Sequence, residues 1–320
     1  MPKLLKRIFK ASCGNRRQPF LEACHNPQLT FLHKTNGEFA QMKKYNNLHP
    51  PIIERISQEE RLAKNPDKAT KTRLHQIYGA YIRPNSNKKA AILLKQLICT
   101  LGARLASTAV HESATTNRAS PTPTENVFAH EHTITNLLKL HYSTNERLPF
   151  YSDFYDFIFS HTGAVNKVLD LGCGYNPFSL PFFPQKPIEY HAIDIDLHTK
   201  DLLNLFFELM DMPKNAACED LETITPQVKT DLTLMLKLFP VLEANNPGRA
   251  YSLANDLNTT WLVVTFPTKS LGGKKKGMTT SYKKNFQDAI DKDNLNNFTL
   301  IAESTIGNEL VFVLRNSGGK

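Results

Sequence analysis

Apolar positions recur along this chain with two different periods. From about Pro51 to Leu105 they fall at helical spacing: Ile52, Ile53 and Ile56, then Leu74, Ile77, Tyr78 and Tyr81, then Ala91 to Leu97. After about Ile134 they gather into short runs of the kind that strands make. The predicted strands are Lys167–Leu171, Tyr190–Ile195, Leu232–Leu236, Trp261–Phe266, Thr299–Glu303 and Glu309–Leu314. Helical stretches are predicted at Asp153–Ser160, Leu197–Met210 and Val241–Asn245. Alternation of strands and helices implies a mainly parallel, doubly wound sheet. The last two strands are joined by Ser304–Asn308, too short for a crossover helix, so they are predicted to form an antiparallel hairpin. The expected fold class is therefore α/β: a Rossmann-like sheet with a C-terminal antiparallel hairpin, plus a small N-terminal helical domain.

Between the two regions, residues 107–126 are rich in Ser, Thr, Ala and Pro, a composition that buries no core. Four segments follow: a basic, loosely ordered extension over 1–50, a helical domain over 51–106, a linker over 107–133 and an α/β domain over 134–320. Charge sharpens this division. The chain of 320 residues carries a net +9, yet residues 1–110 hold 20 Lys+Arg against 6 Asp+Glu, so the remainder is slightly acidic. A basic N-terminal third suggests a polyanion docked by that region. No apolar run approaches the roughly 18 residues of a membrane span, and a cytoplasmic monomer is expected. The five cysteines include no Cys-x-x-Cys pair, which argues for a reducing compartment rather than a disulfide framework. Cys13, Cys24, His25 and His33 match no common zinc spacing, so no metal is expected.

The stretch Val168-Leu169-Asp170-Leu171-Gly172-Cys173-Gly174 carries the most chemistry. An apolar strand ends in an acid and a Gly-x-Gly turn, which lets the backbone pass closely beneath a ligand. Asp194 follows Gly174 by twenty residues at the end of the next strand, where a carboxylate can accept from both hydroxyls of a ribose. Pro177 stands where a dinucleotide fingerprint wants its third glycine, so S-adenosylmethionine is favoured over NAD. Asp170 is expected to hold the loop and approach the methionine amino end. Asp220 is expected to accept from the adenine amino group, with Leu221 in apolar contact.

Several blocks then resemble one family, the aminoglycoside-resistance 16S rRNA methyltransferases of the Arm/Rmt group. They are Leu74–Tyr81, His141–Arg147 with Phe154-Tyr155, Leu169–Pro177, Met235–Lys237, Phe266–Lys274 with Lys276–Met278, and Ile306–Val311. The likeness spans about 70–82 and nearly all of 140–314; residues 1–50 and the Ser/Thr/Pro segment have no recognised counterpart. It implies the hairpin-ended Rossmann-like fold of such enzymes, S-adenosylmethionine as cofactor, and N7 of guanine 1405 in the decoding region of the 30S subunit as target. It also implies cofactor contacts by His141, Ser143, Arg147, Gly172, Asp194, Asp220, Leu221 and Leu236, with Arg147 on the methionine carboxylate. Gly174 shares the turn. Asn245 stands where the family carries Gln, and Tyr81 is expected to close the pocket.

No catalytic base is expected, because N7 carries a free in-plane lone pair; catalysis reduces to placement. Leu238-Phe239-Pro240 lacks the Asn/Asp-Pro-Pro-aromatic motif of exocyclic-amine methyltransferases. The guanine must be extruded to expose N7, with Phe266 or Tyr282 as candidate stacking planes. Lys269 to Lys284 holds six lysines and no acid, and Lys269, Lys274 and Lys276 are expected to position RNA. The competing readings are a methyltransferase of another rRNA position or atom, and a non-catalytic rRNA-binding scaffold.

Overall fold

The computed structural model describes residues 45, 47–79, 81, 83, 85–111, 131–268, 278–292 and 294–318. Seven strands form one sheet: β1 (Lys167–Leu171), β2 (Glu189–Asp194), β3 (Ala216–Cys218), β4 (Thr230–Leu236), β5 (Thr259–Pro267), β6 (Phe298–Ile306) and β7 (Glu309–Asn316). Their order is β3-β2-β1-β4-β5-β7-β6. The first five strands pair in parallel, and β7 pairs antiparallel with both β5 and β6. The expected hairpin is thus present, and a seventh strand not among those predicted, the three-residue β3, runs just ahead of Asp220. Strand β1 lies between β2 and β4, and both its faces meet a core, Val168 in one cluster and Leu169 and Leu171 in another, so that Val168 to Leu171 are all buried. After the buried Phe298, edge strand β6 alternates exposed and half-buried positions because only one of its faces meets the core.

The strand order reverses between β1 and β4. Open α/β sheets bind ligands in the crevice beyond the carboxyl ends of strands at such a point. Here that crevice lies under the Gly172 turn, which follows β1, and Leu236-Lys237, which closes β4.

The helices cover both faces. N-terminal α1 (Pro50–Glu59) and α2 (Pro66–Leu74) lead through a π-turn (His75–Gly79) to α3 (Ser86–His111). Then come α4 (Glu131–Leu138), α5 (Tyr142–Arg147), α6 (Tyr151–Thr162), α7 (Leu197–Leu209), α8 (Phe239–Asn245), α9 (Arg249–Asn255) and α10 (Met278–Asp291). Paired prolines open α1, where a missing N–H costs nothing, and Ile52, Ile53 and Ile56 make its buried face. Those isoleucines pack with Tyr45, Leu48, Leu74 and Tyr78 in a small core that also meets Ile195, just beyond β2. At about 1.5–3 kcal/mol per buried large apolar side chain, this cluster is enough to seat the N-terminal helices on the sheet.

Three boundaries differ from expectation. Tyr45 and Leu48 are already buried, and the backbone runs beside the end of β2: His49 N donates to Ile195 O at 3.0 Å and Leu197 N to Asn47 O at 2.8 Å. The extension therefore joins the body before residue 50. Helix α3 continues to His111, and α4 begins at Glu131, inside the expected linker, because Ile134, Leu137 and Leu138 present an apolar face to the core. Among the described residues no helix is long and apolar enough to cross a membrane. Cys13, Cys24, His25 and His33 lie outside the described residues.

Candidate cofactor site

The site starts from two left-handed glycines. Gly172 has φ +62° and Gly174 φ +49°, a region other L residues rarely enter. Space is equally limiting: a Cβ on Gly172 would lie 2.9 Å from Leu238 Cδ1, and one on Gly174 would lie 2.9 Å from His141 Nε2. The turn is tied to the second strand twice. Cys173 N donates to Ile193 O at 3.1 Å, and Gly174 N donates to Asp194 Oδ2 at 2.8 Å. Asp194 Oδ1 accepts from Asp196 N at 3.0 Å. Burial, with Asp196 adding its charge, pushes the Asp194 carboxyl up to about 6.

Beside this turn lies a cavity. Nine of the twelve expected cofactor residues line it: Tyr81, His141, Ser143, Gly172, Gly174, Asp194, Asp220, Leu221 and Leu236. They come from the N-terminal region, the start of α5 and the ends of β1, β2, β3 and β4. Ile52, Ile77 and Tyr78 add an apolar wall from the N-terminal helices, which the sequence patterning assigned only to helix packing. Asp220 is held in place from the same side: Arg55 Nε donates to Asp220 Oδ2 at 2.9 Å, and Arg55 Nη1 to Glu222 at 2.8 Å. His141 is kept neutral. Burial and the nearby charges of Arg147, Lys237 and Arg83 push its pKa down to about 3. Its Nδ1 is buried without a hydrogen-bond partner in a residue that lines the cavity.

Three expected contacts lie elsewhere. Asp170 is fully buried under the turn, where its Oδ2 accepts from Asn176 Nδ2 at 2.9 Å and from the Tyr190 hydroxyl at 2.7 Å. It ties Asn176 of the loop but does not line the cavity; burial raises its pKa to about 6. Arg147 is 4% exposed, and its guanidinium is engaged by Asn176 Oδ1 and Glu309, each at 2.9 Å. Its fork faces a protein carboxylate, and it too is absent from the cavity wall. Asn245 lies one turn beyond Val241, about 6 Å further along the helix axis. Its Nδ2 donates to Val241 O at 2.7 Å, and the residue borders a separate depression with Arg73 and Gln76.

Lys237 was missed although its block carries the family resemblance. It has φ +59°, is 8% exposed and lines the cavity. Its Nζ lies 2.8 Å from Glu146 and 3.2 Å from Glu309. Burial alone would raise the Glu309 pKa, but the charges of Arg147 and Lys237 outweigh it and hold that carboxylate below its ordinary value. The signal lay in the sequence: a lysine directly after an apolar strand, where an exposed cation is the usual reading and a buried counter-charge cannot be seen.

The aromatic candidates separate. Phe266 is buried and packs among Phe239, Phe286 and Phe312, so it is a core residue and not a platform for a base. It lies near the end of β5, paired with Leu310 at the start of β7, where rings from α8, α10 and β7 cover it. Tyr282, half-buried on α10, stacks on Phe266 with ring centroids 5.1 Å apart. Lys269, Lys274 and Lys276 lie outside the described residues.

Residues 41–313 match the family model described as "Ribosomal RNA methyltransferase (FmrO)". The chain belongs to this family. As a ribosomal RNA methyltransferase family member it is 32% identical over 280 residues to a 16S rRNA (guanine(1405)-N(7))-methyltransferase of Serratia marcescens, covering 86% of this chain and 95% of the relative. A protein of the same description from Micromonospora echinospora is 31% identical, over 85% and 92%. Among solved structures, the 16S rRNA methyltransferase RmtF in complex with S-adenosyl-L-homocysteine is similar with TM-score 0.68 and 29% identity, over 88% of this chain and all of that one. The 16S rRNA methylase RmtB is similar with TM-score 0.64, also at 29% identity, over 86% and 94%. The match begins at residue 41, so the family includes the N-terminal helices that wall the cavity, well ahead of the blocks legible by eye.

Proposed function

We infer that this rRNA methyltransferase transfers the methyl group of S-adenosylmethionine to N7 of guanine 1405 of 16S rRNA, within the assembled 30S subunit. The observation that supports this most directly is the meeting of the glycine turn, Asp194, Asp220 and the His141–Ser143 block around one cavity in a member of this family. Asp194 accepts from the ribose hydroxyls, and Gly174 keeps its backbone N–H on that carboxylate. Asp220, oriented by Arg55, accepts from the adenine amino group while Leu221 and Leu236 cover the ring. Neutral His141 and Ser143 hold the methionine end beside Lys237. Arg147, held by Asn176 and Glu309 through its two terminal nitrogens, keeps its buried Nε–H without a protein partner.

When bound, the cofactor supplies an electrophilic methyl: a bond forms from the N7 lone pair to carbon as the carbon–sulfur bond breaks, leaving a neutral thioether and a cationic base. No proton leaves the nitrogen, so the chain needs no general base and contributes orientation, worth roughly 7–11 kcal/mol when complete. The product guanine carries a positive charge and has lost an acceptor. A cationic aminoglycoside at that edge meets repulsion and an unmade hydrogen bond, so the modification confers resistance. The RNA is gripped by the basic N-terminal helices, whose α3 exposes Lys88, Lys89 and Lys95, and by the lysines of 269–276. The enzyme acts as a cytoplasmic monomer.

Expression in a susceptible bacterium tests this reading. Intact protein is expected to give high resistance to drugs with a 4,6-linked deoxystreptamine core, and unchanged susceptibility with well-expressed protein contradicts it. Cofactor affinity should also depend on pH. A ribose diol donates to an ionised Asp194, so binding favours the carboxylate and releases the proton of a group titrating near 6. Affinity for S-adenosylhomocysteine is therefore flat above neutrality and declines as pH falls through about 6; calorimetry across that range showing no decline would remove Asp194 from the contact.

A further inference from the structure

A closed chain of hydrogen bonds joins the N-terminal helices to the cofactor turn. Asp196 is its hub. This residue is fully buried, two positions beyond Asp194, and caps α7 by accepting from Thr199 N at 2.6 Å. Its backbone N–H is the group that holds Asp194 Oδ1. Two side chains from the N-terminal region reach its carboxylate: the Tyr78 hydroxyl donates to Oδ2, and Asn87 Nδ2 lies 3.3 Å from both oxygens. Asn87 Oδ1 in turn accepts from the Tyr175 hydroxyl at 2.6 Å. Tyr175 follows Gly174, whose N–H returns to Asp194 Oδ2. The circuit runs from Gly174 through Tyr175, Asn87, Asp196 and Asp194 back to Gly174. Tyr78 and Asn87 lie at the two ends of the π-turn-to-α3 connection, and Lys88 and Lys89 directly after Asn87 are exposed.

Nothing in a Rossmann-like sheet requires these two N-terminal residues. Asp196 already has a task as a helix cap, and a cap needs one acceptor oxygen. A buried carboxylate with three further donor contacts from a different part of the chain fixes the geometry between the two regions. We propose that Asn87 and Tyr78 are positioning residues for the cofactor site: through Tyr175 and Asp196 they hold the Gly174–Asp194 pair in register, so that engagement of the N-terminal helices by RNA and binding of the cofactor strengthen one another. The RNA half of this statement rests on the function proposed above. Coupling of this kind is reciprocal and typically amounts to about 5- to 150-fold.

The test uses the full chain, with S-adenosylhomocysteine as the calorimetric probe, free and bound to 30S subunits. The variants are Asn87→Leu, Tyr78→Phe and Tyr175→Phe, the last two keeping their buried rings. Each is expected to weaken the probe by about 5- to 20-fold. The tightening that 30S confers on the probe in the wild type should shrink towards none. Affinity of the cofactor-free variants for 30S should stay within about twofold of wild type, a separation that general loosening of the fold would not produce. Tyr175→Phe combined with Asn87→Leu should be no weaker than the weaker single variant, since both break one circuit. Variants that bind the probe and couple to 30S like wild type overturn the proposal, whatever their melting temperatures; so does full additivity of the pair. A wild-type protein that binds neither probe nor 30S is a different result, and it refutes the proposed function instead.

Discussion

Asp194→Ala is expected to abolish cofactor binding at working concentrations and, with it, resistance. The substitution removes the charged acceptor proposed for two ribose hydroxyls, and hydrogen bonds to charged groups contribute about 1.5–3 kcal/mol each. The combined loss of about 3–6 kcal/mol corresponds to roughly a 10²- to 10⁴-fold rise in Kd. The anchor for Gly174 N is lost as well, so the turn itself loosens. Asp194→Asn separates the two contributions: it keeps an acceptor for Gly174 but lacks the charge, and should fall between wild type and alanine. Calorimetry with S-adenosylhomocysteine measures both, and an alanine variant binding within about tenfold of wild type contradicts the assignment.

The second large effect is on stability. Glu309→Leu leaves Arg147, 4% exposed, without its carboxylate partner and strips Lys237 of one of two counter-charges. Breaking a buried pair by removing one member costs about 3–5 kcal/mol. For a chain stable by about 5–15 kcal/mol that is a large fraction, and a melting temperature lower by on the order of 10 °C is expected. Glu309→Gln keeps an acceptor oxygen and should lose less. The sign of the pH dependence follows from the lowered pKa of Glu309: its stabilisation is complete above the ordinary value of 4.5 and is lost as pH falls through the folded-state value. The advantage of wild type over Glu309→Gln should therefore narrow in acid. A leucine variant melting within about 2 °C of wild type would show that the buried network is dispensable.

Gly172, Gly174, Asp194 and Asp220 were legible because strand ends, glycines and acids recur at fixed local offsets, and the sheet then sets their distances. Arg147 was legible as a cation but not as a paired one, since its carboxylate arrives from β7, 162 positions later. Lys237 and Asp196 were hidden for the same reason: each has an ordinary local reading, as a strand-end lysine or a helix cap, until long-range packing supplies its partners. Phe266 failed in the opposite direction. An aromatic beside a lysine-rich loop suggested a surface platform, whereas four aromatic rings from β7, α8 and α10 enclose it. Asn245 shows the limit of transferring a contact by block: one helical turn moved it from the cavity to the neighbouring depression. The N-terminal helices were read from their periodicity, yet their contribution of Ile52, Ile77 and Tyr78 to the cavity depends on where the small core around Ile195 seats them.

The reaction to be detected places a methyl group on one ring nitrogen of one nucleotide. Purified protein should be incubated with S-adenosylmethionine and assembled 30S subunits, and the extracted 16S rRNA treated with borohydride and aniline, which cleave the chain at N7-methylguanine. Primer extension is predicted to stop at guanine 1405 only after treatment with the wild-type enzyme, and not with Asp194→Ala. Subunits that acquire label without strand cleavage, or that cleave at another guanine, would contradict the account.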